Sequence, residues 1–152
     1  MKKLLADTNI VLDLLAKREP FYPGAARIFS LADKNEIELS ISSLTFANTN
    51  YVLARLTTIK EAREILRKFR VLVKVLPLNE KIIDLALNDD NFGNFEDGLQ
   101  YYSAIENGQD IIITRDLKDF KGANIAVMTA EEFITSAAMK SWPAADQGEN
   151  VP

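Results

Sequence analysis

Four aspartates are placed where they could do chemistry together. Asp7 interrupts the apolar run of KKLLADTNIVLDLL, where one element ends and the next begins. Asp116 lies two residues past the end of DIIIT (110–114), and Asp119 follows three residues later. Asp97 falls early in FEDGLQYYSAIENG, with Glu96 beside it as a spare carboxylate. Carboxylates gathered in one pocket repel each other and lose hydration unless a cation holds them. The chain has no His and no Cys, which removes histidine acid–base pairs, Ser–His nucleophiles, thiolates and soft-metal sites. A hard divalent ion, Mg²⁺ or Mn²⁺, suits an all-oxygen donor set. Such an ion orients a phosphodiester, acidifies water and stabilises developing charge. Each aspartate also has a simpler use. Asp7 can cap a helix beginning at residue 8, and the Asn94/Asp97 and Asp116/Asp119 spacings are those of capping boxes.

The elements that must position these residues follow from hydrophobic periodicity. Short apolar runs predict strands at 2–6, 37–41, 71–78, 110–114 and 124–129. The 3.6-residue pattern predicts helices at about 8–17, 23–34, 42–56, 59–70, 79–88, 95–108 and 130–140, with RDLKDFKG as a turn or short helix. Pro23 suits a first helical turn, and Ser42 or Ser43 and Asn79 suit caps. Strands separated by helices predict a three-layer α/β/α domain around a mostly parallel sheet of four to five strands. In such a sheet, functional groups collect beyond the carboxyl ends of the strands, where Asp7 and Asp116 fall. Residues 1–140 read as one domain and 141–152 as a flexible tail whose Trp142 could dock.

At 152 residues and 47% hydrophobic composition the chain can bury a sizeable core. No apolar run reaches the roughly 20 residues of a membrane span. The start is too short and too charged for a signal peptide, so a cytoplasmic location is expected. A net charge of −4 speaks against a tight, nonspecific nucleic-acid binder but not against a local metal site acting on one. Lys60, Arg63, Arg67 and Arg70 recur at three and four residues. They form a positive stripe that is either a solvated face or a guide for an RNA backbone, and an acidic partner would suit it equally. Phe21 with Tyr22 and Tyr101 with Tyr102 suit packing better than base stacking. Gly98 suits close helix packing.

The ordered set of motifs resembles the PIN domain family, which includes the VapC-like ribonuclease toxins of toxin–antitoxin pairs. LLADTNIVLDLL resembles its opening strand and first acid. SSLTFANTNYVLARL resembles the helix after the second strand, FEDGLQYYSAIENGQDIIITRDLKDF the acidic motif region, and VMTAEEFI the close. The resemblance spans residues 3–136. It implies a PIN-like fold in which Asp7, Asp97 and Asp116 hold Mg²⁺ or Mn²⁺ for endoribonuclease chemistry, assisted by Asp119, yielding 5′-phosphate and 3′-hydroxyl ends. It also implies an RNA substrate, a cognate antitoxin protein and a homodimer. Thr8, Asn9 and Thr114 would support the acids, and Arg115 could meet an RNA phosphate or a salt-bridge partner. One position departs from the family. Asn48 stands three residues beyond Thr45, where a Glu is usual, which weakens the charge of the site and leaves a catalytically weak or inactive PIN-like binding module as the alternative. An aspartyl-nucleophile phosphatase fits poorly, because Asn9 stands where its second Asp would be.

Overall fold

The structure is a computed structural model that describes residues 1–136; the helix expected to continue to residue 140, the proposed tail and Trp142 lie wholly or partly outside the described residues. Five parallel strands form one sheet in the order β3-β2-β1-β4-β5. They are β1 (Lys3–Ala6), β2 (Glu38–Ser42), β3 (Lys74–Leu76), β4 (Ile111–Ile113) and β5 (Ala126–Met128). The helices are α1 (Thr8–Leu15), α2 (Tyr22–Asp33), α3 (Ser43–Leu56), α4 (Ile59–Arg70), α5 (Glu80–Leu87), α6 (Phe95–Glu106) and α7 (Ala130–Thr135), with a 3₁₀ turn at Leu117–Phe120.

Strand alternation divides the core into two layers. Leu4, Ala6, Ile111 and Ile113 face one side, where they pack with Ile10, Ile28, Phe29 and Phe133. Leu5 and Ile112 face the other, against Tyr101, Ala104 and Phe120. All three residues of β4 are buried, because helices or loops cover both faces of the central strands. β3 is shorter than the expected 71–78: it pairs with β2 only from Lys74 to Leu76. Pro77, which lacks an N–H, ends the extended run, while Leu72 closes a turn on Phe69 at the other end.

The sheet order decides where a site can form. The chain winds outward from central β1 through β2 to β3, then crosses to the opposite side of β1 to lay down β4. This reversal opens a crevice beyond the carboxyl ends of β1 and β4, the place where open parallel sheets bind ligands. Leu5 pairs with Ile112 and Ala6 with Ile113, so Asp7 and Thr114 emerge side by side at that edge. The Asp7 N–H still donates to the Ile113 carbonyl at 2.9 Å.

Candidate active site

Asp7 does cap α1, as its position suggested, but capping is one of several tasks. Its Oδ1 accepts from the Thr8 N–H at 2.8 Å, and its Oδ2 from the Thr114 hydroxyl at 2.9 Å. Gln100 Nε2 reaches Oδ1 at 3.3 Å from the facing side of α6. Burial holds the Asp7 carboxyl above its ordinary range. The Thr114 and Thr8 hydrogen bonds oppose that shift, and the charges of Asp116 and Asp119 add to it.

Asp97 stands in the first turn of α6, half-buried. Its carboxyl is pushed up to about 7 by burial first, and then by the charges of Asp7, Asp119, Asp116 and Glu96. Asp97 therefore feels the charges of Asp7, Asp116 and Asp119, and Asp7 those of Asp116 and Asp119, although the four come from three separate parts of the chain. Their capping alternatives fare unevenly. Asn94 caps α6 through the Glu96 N–H, not through Asp97, and Asp116 makes no side-chain cap to the 3₁₀ turn. Neither expected capping box forms, so Asp97 and Asp116 are free of that duty. Among the described residues, no group of three or more acidic side chains is drawn close enough to form a ready ligand set for a metal ion.

The supporting residues assemble around these acids. Asn9 Nδ2 donates to Asp116 Oδ2 at 3.2 Å and approaches Thr114 Oγ1 at 3.4 Å. Thr114 Oγ1 in turn accepts from the Asp116 N–H at 3.1 Å, so one hydroxyl joins Asp7 to Asp116. Asn48 is half-buried on α3 and extends Nδ2 toward Glu96 Oε1 at 3.5 Å, at the mouth of the crevice.

Other candidates serve elsewhere. Arg115 makes a bidentate pair with Asp13, at 2.8 and 3.1 Å, and its guanidinium lies 3.8 Å above the Phe21 ring. Arg18 joins the same carboxylate at 3.1 Å. Arg115 is thus held as an ion-pair partner that anchors the residue before Asp116. Lys60, Arg63, Arg67 and Arg70 are exposed on α4, where Arg67 pairs with Glu64 and Arg70 donates to the Val73 carbonyl. Arg63, Arg67 and Arg70 border a cavity of about 380 Å³ floored by Phe46 and Leu66. Tyr101 is buried, accepting the Asn124 N–H, and the Tyr102 hydroxyl donates to Asp89 at 2.6 Å. Both tyrosines pack rather than offer free faces for bases. A Cβ on Gly98 would meet Ala86 at an ordinary 3.4 Å, so close packing with α5 tolerates this glycine without requiring it.

Sequence reasoning missed Gln100 and Asp13. Asp13 had a signal: it is a lone carboxylate between Leu12 and Leu14 in an apolar helix, and such a group is retained only when paired. Gln100 lies three residues after Asp97 and so on the same helix face, a relation visible in the sequence. Its partners, however, lie in two distant segments, Asp7–Thr8 and Thr45.

A parallel α/β/α fold that brings aspartates to its switch point is an architecture that binds ligands at that edge. The family model of the PIN domain matches residues 3–118, and the chain belongs to that family. It is 29% identical over 136 residues to Ribonuclease VapC1 of Aquifex aeolicus, covering 87% of this chain and 93% of that protein. Its fold is similar to that of the DNA-bound VapBC structure from Salmonella typhimurium, with a TM-score of 0.66, 18% identity and coverage of 86% of this chain and 99% of that one. VapC20 of Mycobacterium tuberculosis, described as a toxin cleaving the sarcin-ricin loop, matches with a TM-score of 0.57, 16% identity and coverage of 72% and 86%.

Proposed function

We propose that this protein is a Mg²⁺- or Mn²⁺-dependent endoribonuclease and the toxin of a toxin–antitoxin pair. The observation that carries the reading is the convergence of Asp7 and Asp116 on the Thr114 hydroxyl at the sheet's switch point, where the charges of both, with Asp119, raise Asp97. The donor set fits a hard cation: every candidate ligand atom is a carboxylate oxygen, and positive charge would relieve the repulsion that raises Asp7 and Asp97. Asp7, Asp97 and Asp116 would hold it, with Asp119 assisting. When bound, the ion supplies charge stabilisation and acidifies water for phosphodiester hydrolysis.

The chain's own residues prepare that chemistry. Thr114 and the Thr8 N–H fix the rotamer of Asp7, and Asn9 fixes Asp116. Asp97, held up to about 7 by burial and neighbouring charge, would keep its proton longer than an ordinary carboxylate and would give it up to a bound cation. The relatives supply the biological frame: a curated relative is named a ribonuclease, another protein of this fold is described as a sarcin-ricin loop cleaving toxin, and other solved structures are VapBC complexes. Among the described residues, no helix is long and apolar enough to cross a membrane. RNA cleavage with Mn²⁺ or Mg²⁺, set against EDTA and against Asp7→Asn and Asp116→Asn, tests the reading. Activity is expected only with the ion and intact carboxylates; cleavage indifferent to all three changes defeats the mechanism.

Asn48 favours a second reading, a PIN module that binds RNA or a protein without cutting, because it contributes an amide rather than a charge at the crevice mouth. A folded protein that takes up neither Mg²⁺ nor Mn²⁺, with or without added RNA, would favour that alternative.

A further inference from the structure

Gln100 is buried to 3% exposure inside the acidic crevice and is shared by three neighbouring elements. Its Nε2 donates to Thr45 Oγ1 on α3 at 2.8 Å, and reaches Thr8 Oγ1 on α1 and Asp7 Oδ1 at 3.3 Å each. The Thr8 and Thr45 hydroxyls are themselves 2.9 Å apart, and Ser42 lies 3.3 Å from Thr45. One side-chain amide on α6 thus ties together the first turns of α1 and α3 and the carboxylate between β1 and α1.

The other end of the same amide is unsatisfied. Gln100 Oε1 is buried with no hydrogen-bond partner. Leaving a buried acceptor unpaired costs about 1–3 kcal/mol. A residue kept only as a polar staple in the core would be expected to satisfy both ends. Turning the amide over would set Oε1 against the Asp7 carboxylate, an acceptor facing an acceptor, and would remove a donor from an anion. The observed orientation therefore favours Asp7 at the expense of Oε1.

We infer that Gln100 is a positioning residue for Asp7: its amide, braced on Thr45, holds the carboxylate in the rotamer from which it would serve the cation. Thr114 holds Oδ2 from the β4 side and Gln100 holds Oδ1 from the α6 side, so Asp7 is gripped between the two elements that carry Asp116 and Asp97. This rests on the ribonuclease reading and deepens it. Groups that orient a metal ligand through hydrogen bonds typically change metal affinity or activity by about 10–100-fold when removed.

The test compares wild type with Gln100→Met, which keeps the length of the side chain and loses its donor. Mn²⁺ affinity is read by electron paramagnetic resonance, folding by melting temperature, and RNA cleavage as separate kcat and KM. The expected result is a folded protein with Mn²⁺ bound about 10–100-fold more weakly and kcat lowered, while KM for RNA stays put. Thr45→Val removes the brace from the other side, is expected to shift Mn²⁺ affinity in the same direction, and covers the case in which Gln100→Met fails to fold. A folded variant with wild-type Mn²⁺ affinity and kcat but a lower melting temperature overturns the inference and leaves Gln100 structural. Wild type that neither binds Mn²⁺ nor cleaves RNA overturns the ribonuclease reading, and this inference with it.

Discussion

Thr114 donates its hydroxyl to Asp7 Oδ2 at 2.9 Å across 107 residues of sequence, and the same oxygen accepts the N–H of Asp116 at 3.1 Å. A single buried side chain is thereby the hinge of the acidic crevice. Thr114→Val keeps the β-branched shape and removes both roles. It is expected to destabilise the fold by about 1–3 kcal/mol, through the lost donor to a buried carboxylate and the orphaned amide. Cleavage is expected to fall by at least tenfold, as for loss of a ligand's orienting partner. Denaturant melts and initial rates measure the two effects, and an unchanged rate would place Thr114 outside the mechanism.

The raised aspartates give the ion-free protein an unusual pH response. The sign follows from proton uptake: Asp97 in the folded state holds its proton up to about 7, whereas the unfolded chain releases it near 3.8. Between those values the folded form binds more protons, so stability falls as pH rises. Asp7 is raised in the same direction and adds to the trend. In EDTA, the melting temperature should be higher at pH 5.5 than at pH 8. Mn²⁺ should reverse the order, since a cation binds the deprotonated site better. A flat EDTA profile over this window would deny the burial and repulsion assigned to Asp97.

The fold was largely legible because its signals are local. Apolar runs such as DIIIT and caps such as Asn79 and Ser42 act within a few residues, and all five strands and seven helices formed near their expected positions. The acids at strand ends were legible for the same reason. The capping boxes were misread because spacing does not fix a rotamer: Asn94 turned to Glu96, and Asp116 was drawn to Asn9 on α1. Gln100 and Asp13 were hidden because their meaning lies in partners 93 and 102 residues away. Periodicity cannot report such distances.

Asp13 tests how the crevice wall is held. Its side chain is 1% exposed and pairs with Arg18 and Arg115, whose side chains are 40% and 30% exposed. Asp13→Asn removes the buried charge and lets both guanidiniums turn to water, so a loss of about 1–3 kcal/mol is expected. Removing both arginines strands a buried carboxylate, for which about 3–5 kcal/mol is expected. Each arginine alone should cost much less, because the other still pairs with Asp13. The two single losses should therefore sum to less than the double loss, and additivity in chemical denaturation would contradict the shared-carboxylate arrangement.

Asn48→Glu asks what the missing charge does. Asn48 already points Nδ2 at Glu96 from 3.5 Å, and Glu96 is one of the charges that raise Asp97. A glutamate at position 48 would face Glu96 as a like charge and add to the repulsion around Asp97. Without a cation the protein should therefore melt at a lower temperature than wild type, most clearly above pH 7, where Asp97 is ionised. With Mn²⁺ the same charge should become an asset. Affinity is expected to rise by about tenfold, the effect of roughly 1.4 kcal/mol of added attraction. Coupling the change to Glu96→Gln should restore the ion-free stability, because one carboxylate then faces one amide as before. If calorimetry finds neither weaker ion-free stability nor tighter Mn²⁺ binding, residue 48 does not share the field of the aspartates, and its amide is a bystander at the crevice mouth.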